Sequence, residues 1–328
     1  MANIPTATGS RQQNCSSPWQ RQKDSIIFAA MEQTKALLEA MRPRSWTKNL
    51  FVFAGMLFGR VWELHALAVT ALATLGFCLV SSSIYLLNDV ADREADRRHP
   101  KKRNRPIASG RLGVGVAIAW AAVLATGTTT AAWLLAPRYA VVISAYLLLQ
   151  VGYSSGLKNV VILDALIIAM GFVLRALAGV EAGMEAGYDL SISPWLVICT
   201  FFLAVFLAFS KRRAEVVSLG DDAQGHRRNL AQYSPRLLDQ MISIATASSL
   251  MGYSIYTVSD RTASEVSGML WITIPFVAYG IFRYQYLVHT RGLGGSPDKV
   301  LLTDLPLLAN VALWIASVAV VLSIFPPV

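Results

Sequence analysis

Apolar stretches of about 20 residues, separated by shorter polar ones, fill most of the chain. Nine of them lie near residues 44–62, 64–88, 113–135, 138–154, 160–180, 194–210, 238–258, 269–288 and 303–325. Each comes close to the roughly 20 residues that an α-helix needs to cross about 30 Å of hydrocarbon. The first is the most polar, with Lys48 and Asn49 inside it, and the fourth is short, so eight crossings would also fit. Lipid offers a backbone no hydrogen-bond partners, so the expected fold is all-α: a polytopic membrane protein of about nine transmembrane helices in one bundle. Residues 1–40 read as a disordered cytoplasmic arm and residues 41–328 as a single transmembrane domain. The first 24 residues are rich in Gln, Ser, Thr and Asn and lack the continuous apolar run of a cleaved signal.

Composition agrees with this reading. Hydrophobic residues make up 54% of the 328 and charged residues 15%, against about 25% charged in soluble domains. The net charge of +9 could suggest nucleic acid, but its placement argues otherwise. With nine crossings and the N-terminus inside, 25 of the 29 Lys and Arg fall on one side, Arg60, Arg138 and Arg261 on the other, and Arg175 within a helix. This is the positive-inside bias of a protein whose partner is the bilayer, and it excludes a nucleic-acid role. It places the N-terminus and the long loops 89–112 and 211–237 in the cytoplasm, at a plasma (inner) membrane. Cys15, Cys78 and Cys199 are far apart and suggest neither a disulfide framework nor a zinc site.

Chemistry concentrates after the second stretch, which ends Asn88-Asp89-Val90-Ala91-Asp92-Arg93-Glu94-Ala95-Asp96. At 100° per residue, Asn88, Asp92, Asp96 and Asp89 fall at about 0°, 40°, 80° and 100°, one narrow helical face. Carboxylates that close repel one another and are costly to desolvate unless a cation neutralises them. Hard oxygen ligands favour Mg²⁺, which normally shares its coordination with substrate phosphates. An isolated DxxxD is more often a solvated helix end, here paired with Arg93, Arg97 and Arg98. The next residues change that weighting: His99-Pro100-Lys101-Lys102-Arg103-Asn104-Arg105-Pro106 is a cationic turn beside the acids, suited to stabilising a diphosphate leaving group. In the fifth stretch Asp164, Gly171 and Arg175 share one stripe, since 11 residues bring Arg175 to within about 20° of Asp164. Ionisable residues at such depth face a bundle interior.

The run NDxxDxxxD followed by HPxKxxRP resembles the UbiA superfamily of intramembrane prenyltransferases. Asn88, Asp89, Asp92 and Asp96 match its first motif, and His99, Pro100, Lys102, Arg105 and Pro106 the second run. The typical member carries a further aspartate-rich motif after its sixth helix. Here that position reads Lys211-Arg212-Arg213-Ala214-Glu215, and Asp221-Asp222 follow without the usual spacing. The chain is similar instead to the decaprenyl-phosphate phosphoribosyltransferase branch, through Arg42-Pro43-Arg44-Ser45-Trp46-Thr47-Lys48-Asn49, the Tyr153 to Lys158 segment, the KRxxE stretch, and Gly295-Ser296-Pro297 through Asp304-Leu305-Pro306-Leu307.

That resemblance implies a UbiA-like helical bundle, a catalytic domain over residues 41–328, and Mg²⁺-dependent transfer of 5-phosphoribose from 5-phosphoribosyl 1-diphosphate to a polyprenyl phosphate. It makes Asn88, Asp92 and Asp96 the catalytic residues, holding the metal together with Asp89. Lys102, Arg105, Lys158, Lys211 and Arg212 would meet phosphates, with Glu215 orienting Lys211 or touching a ribose hydroxyl. Lys48 with Arg44 would take the lipid phosphate, and Tyr153 and Arg175 complete the substrate set, with His99 left to loop structure. The first motif fits prenyl transfer to a small acceptor equally well, and a transporter using Asp164 and Arg175 as an ion pathway is a weaker alternative. A homo-oligomer is compatible with all three readings.

Overall fold

The computed structural model describes residues 18–100, 102–219, 230–295, 297–325 and 327, and every regular element among them is helical. Helix α1 spans Pro18–Ala40. After it come α2 (Leu64–Ala91), α3 (Val114–Leu135), α4 (Pro137–Ser155), α5 (Leu163–Glu185), α6 (Pro194–Leu219), α7 (Pro235–Val258), α8 (Ile274–Arg291) and α9 (Leu305–Ile324). Among the described residues five of them, α2, α3, α5, α6 and α9, are long and apolar enough to cross a membrane. Proline in the first turn of α4, α7, α8 and α9 marks where those helices begin, since its missing N–H would be unsatisfied there anyway. Neighbours in sequence pack as neighbours in space, with α2 on α3, α4 on α5, α5 on α6 and α6 on α7.

Two expectations change. The arm is helical, not disordered, over Pro18–Ala40, and its end is docked: Ala36, Leu37, Ala40 and Met41 are buried with Leu86, Ile107, Leu112, Ala117 and Ala121. Residues 1–17 lie outside the described residues. The first apolar stretch is not one spanning α-helix but a 3-10 run, Pro43–Phe53, followed by one short helix, Ala54–Phe58. It still carries the chain from the end where Arg42 meets Asp89 to the opposite end, where Arg60 donates to the Val266 carbonyl.

The irregular run is pressed against α5. A Cβ on Gly179 would stand 1.8 Å from the Val52 carbonyl oxygen, and one on Gly55 2.8 Å from Val180 Cγ2. Gly179→Ala therefore forces two backbones apart, and overpacking of this kind costs about 1–3 kcal/mol or more. Its thermal unfolding midpoint in nanodiscs should fall clearly below wild type. Gly127→Ala, whose Cβ meets nothing within 4 Å, should leave the midpoint nearly unchanged.

Candidate active site

Helix α2 delivers Asn88 and Asp89 at its last turn, and the chain bends at Asp92 (φ −91°, ψ 6°) before the short helix Arg93–Arg98. Across this bend the four side chains fall into two pairs, Asp89 with Asp96 toward Arg105 and Asn88 with Asp92 toward Ser154 and Lys158. Asp89 and Asp96 are buried, whereas the Asp92 side chain is 44% exposed. Each has a cationic or hydroxyl partner. Arg105 Nη1 donates to both Asp89 Oδ1 (3.0 Å) and Asp96 Oδ2 (2.6 Å). Arg42 pairs with Asp89, Lys158 Nζ reaches Asp92 Oδ1 at 2.8 Å, and the Ser154 hydroxyl donates to Asn88 Oδ1 at 2.5 Å. Three carboxylates are thus faced by three cations.

Among the described residues no three metal-ligating side chains converge, so the metal cage expected from Asn88, Asp89, Asp92 and Asp96 is not preassembled. The donor set nevertheless fits magnesium, which takes only one or two carboxylates and shares the rest of its shell with water and phosphate oxygens. The guanidinium nitrogen between Asp89 and Asp96 stands where positive charge is required.

The cationic turn is braced from outside the site. Arg97 Nε donates to the Ala108 carbonyl at 3.0 Å, and Gly110 takes φ +84°, the left-handed region where glycine is favoured. Arg111 grips Glu39 of α1 through both nitrogens (2.7 and 3.0 Å), and this pairing holds the Glu39 carboxyl below its usual range. The Lys102 N–H points to His99 Nδ1 at 3.4 Å, which agrees with a loop-shaping part for His99. Lys102 itself lies exposed on this turn.

A second polar cluster sits where α5 begins. Arg212 on α6 is 3% exposed and donates to Asp164 Oδ2 (2.7 Å) and Glu215 Oε2 (2.6 Å). The Tyr233 hydroxyl donates to Asp164 Oδ1 at 3.2 Å and accepts the Ile162 N–H at 2.6 Å; burial pushes this phenol up to about 12, so it stays neutral. Ile162 is held at φ 70°, a strained angle for a β-branched residue. Arg212 is therefore bound to two carboxylates here and does not stand ready for a phosphate. Lys211 next to it is exposed. Tyr153 ends α4 beside Ser154, and Asp221 and Asp222 lie outside the described residues.

A third cluster lies deeper. Arg175, 5% exposed, donates to Asn49 Oδ1 (2.8 Å), the Gly171 carbonyl (2.7 Å) and the Tyr146 hydroxyl (3.1 Å). Its guanidinium carbon stands 5.0–5.4 Å from the ring centroids of Tyr146, Phe172 and Phe77. Asp164 and Arg175 share a helix stripe but bond different partners, Arg212 and Tyr233 for the first and Asn49, Gly171 and Tyr146 for the second. Lys48, just before Asn49, is half-buried, and Arg44 is exposed.

Sequence reasoning missed Arg42 and Ser154 as neighbours of the acids. Arg42 reaches Asp89 from a left-handed backbone position (φ 56°) and also stacks over Tyr85 at 5.1 Å. No local pattern signals a contact across 47 residues.

Known proteins share both the sequence and the architecture. The chain is 34% identical over 297 residues to a decaprenyl-phosphate phosphoribosyltransferase of Corynebacterium glutamicum, covering 88% of this chain and 87% of the relative. It is 32% identical to one of Mycolicibacterium smegmatis, covering 86% and 91%. Its fold matches a UbiA homolog from Archaeoglobus fulgidus bound to GPP and Mg²⁺, with TM-score 0.66 and 17% identity over 88% of this chain and all of the other. Residues 49–302, which hold the acidic end of α2, the cationic turn and all three polar clusters, match the model of the UbiA prenyltransferase family, and the chain belongs to that family.

Proposed function

We propose that this transferase moves 5-phosphoribose from 5-phosphoribosyl 1-diphosphate to the phosphate of a long, decaprenyl-type polyprenyl lipid, with diphosphate leaving. The observation that carries this reading is the exposed Lys211, at the position where prenyl-transferring members place a second acidic motif. A donor with a separate 5-phosphate calls for cations there. The names of the relatives from Corynebacterium and Mycolicibacterium support the same transferred group and acceptor.

Asn88, Asp92 and Asp96, with Asp89, would hold Mg²⁺, which when bound neutralises charge on the leaving diphosphate. Arg105 and Lys158, which bond these acids, would turn from carboxylate to phosphate oxygens as the donor arrives, and Lys102 on the cationic turn would join them. Lys211 takes the 5-phosphate, with Tyr153 lining that side. Lys48 and Arg44 guide the lipid's anionic head inward. An oxygen of the acceptor phosphate then bonds to C1 of the ribose as the bond from C1 to diphosphate breaks, and the bonding pair leaves with diphosphate. The acceptor is already an anion near neutral pH, so no general base is required.

Isothermal titration of the purified protein with phosphoribosyl diphosphate and Mg²⁺, alongside a polyprenyl diphosphate, tests the donor. Binding heat is expected from the first; heat from polyprenyl diphosphate alone would favour prenyl transfer, which the acidic motif also fits.

The proposed setting is the plasma (inner) membrane, with the N-terminus and the acidic end cytoplasmic, where a soluble donor is found. In a background free of the three native cysteines, a cysteine at position 104 should react with an impermeant maleimide only from the cytoplasmic side. One at position 186 should react only from the opposite side. Labelling of both from one side would overturn this orientation.

A further inference from the structure

We infer that Arg175, deep inside the bundle, is the seat of the acceptor's phosphate and sets the requirement for an anionic acceptor; this rests on the function proposed above. Arg175 is 5% exposed, yet its three hydrogen bonds go to an amide, a backbone carbonyl and a phenol, and none to a carboxylate. The acid on its own helix stripe, Asp164, is bound by Arg212. A buried guanidinium without a counter-charge is costly, and the three aromatic faces and neutral dipoles offset only part of that cost. Three of the five N–H groups of a guanidinium are used by these partners. What completes such a site is an oxyanion.

Two helices set the depth. Tyr146, which meets Arg175, precedes Ser154, which meets Asn88, by eight residues of α4, or about 12 Å of helix. Ser81 receives a hydrogen bond from Asn49, the residue that also holds Arg175, and precedes Asp89 by eight residues of α2, again about 12 Å. Arg175 thus lies about two helical turns deeper than the acids, so a diphosphate held at the acidic end points its sugar toward a phosphate resting on Arg175.

The guanidinium is packed closely on its own helix, since a Cβ on Gly171 would stand 3.2 Å from Arg175 Nη1 and 3.4 Å from Gln150 Nε2. Lys48, next to Asn49, gives the incoming headgroup a cation at the same level of the chain. The arrangement also disfavours a prenyl donor: an isoprenoid hanging from the acidic end would lie against an uncompensated buried charge.

The test uses full-length protein in nanodiscs and measures polyprenyl phosphate binding without donor, then KM for each substrate, in wild type, Arg175→Gln and Arg175→Lys. Arg175→Gln should weaken lipid-phosphate binding and raise the acceptor KM on the order of 10-fold to 100-fold. Donor binding heat with Mg²⁺ should change less than about 3-fold, and Arg175→Lys should recover part of the acceptor affinity. Unphosphorylated polyprenol and inorganic phosphate separate the sources of the anion: neither should compete if the lipid headgroup is the ligand, and competition by free phosphate alone would overturn the assignment. An unchanged acceptor KM, or equal losses for donor and acceptor with a lowered unfolding midpoint, would make Arg175 structural. If Arg175→Gln does not fold, Arg175→Lys decides by the same measurements. Failure of the donor reading shows separately, as absent donor heat in wild type, while lipid-phosphate binding still reports on Arg175.

Discussion

Replacing Asp92 by Asn is expected to lower turnover by at least about 100-fold to 1,000-fold, the range seen when one pre-positioned stabiliser of transition-state charge is removed, while leaving the fold intact. The two halves of that expectation have different origins. Asp92 is the acid of the motif whose side chain is 44% exposed, and its ion pair is with Lys158, itself 16% exposed. Pairs this close to solvent contribute about 0–1 kcal/mol, so the unfolding midpoint should barely move. Under the proposed function the same side chain would hold Mg²⁺ against the diphosphate, and an amide lacks the charge that a divalent cation needs. Asp96→Asn makes an informative contrast. Asp96 is buried and shares Arg105 with Asp89, so its loss should reduce both activity and stability. EDTA should abolish turnover and excess Mg²⁺ restore it. Near wild-type turnover of Asp92→Asn in Mg²⁺ would remove Asp92 from the metal site.

The contrast between Asp92 and Asp96 was only half legible in the sequence. The motif itself, and the cationic turn after it, can be read directly, because they are contiguous and their chemistry depends on residue type. The helical projection put Asp89 and Asp96 at about 100° and 80° and Asn88 and Asp92 at about 0° and 40°, and these are the pairs the structure shows, but it could not say which pair is buried. Arg105 of the cationic turn was legible as a neighbour of the acids; their other partners were not. Arg42, Ser154 and Lys158 arrive from three other elements, and nothing local encodes those meetings. The same limit explains the fold. Later apolar stretches appear as helices close to where periodicity puts them, such as 160–180 against Leu163–Glu185. The stretch at 44–62 holds a 3-10 run pressed at Val52 against the bare backbone of Gly179 on α5, 127 residues later (179 − 52), and nothing local signals that contact. The arm's docked end is likewise fixed by partners on α2 and α3.

Replacing Arg212 by Ala is expected to cost about 3–5 kcal/mol of stability, and so to show itself as loss of folded protein before any kinetic effect can be read. Arg212 and Asp164 are 3% and 0% exposed, so deleting the guanidinium leaves the buried Asp164 without the cation it is bonded to and also removes a bond to Glu215. Asp164 also anchors Tyr233 and through it the strained turn at Ile162, so the start of α5 should loosen as well. Arg212→Lys should recover little, because one ammonium cannot reproduce the two directed bonds to Asp164 and Glu215. Lys211→Ala is the matching test of the proposed phosphate site. Lys211 is exposed and one residue away, and under the proposed function its loss would remove a contact to phosphate worth about 1.5–3 kcal/mol, or roughly 10-fold to 150-fold in donor affinity. The expected pattern is therefore a low unfolding midpoint for Arg212→Ala and a near-normal midpoint with a raised donor KM for Lys211→Ala. A stable Arg212→Ala protein whose only defect is donor KM would show that this arginine leaves Asp164 to bind the 5-phosphate.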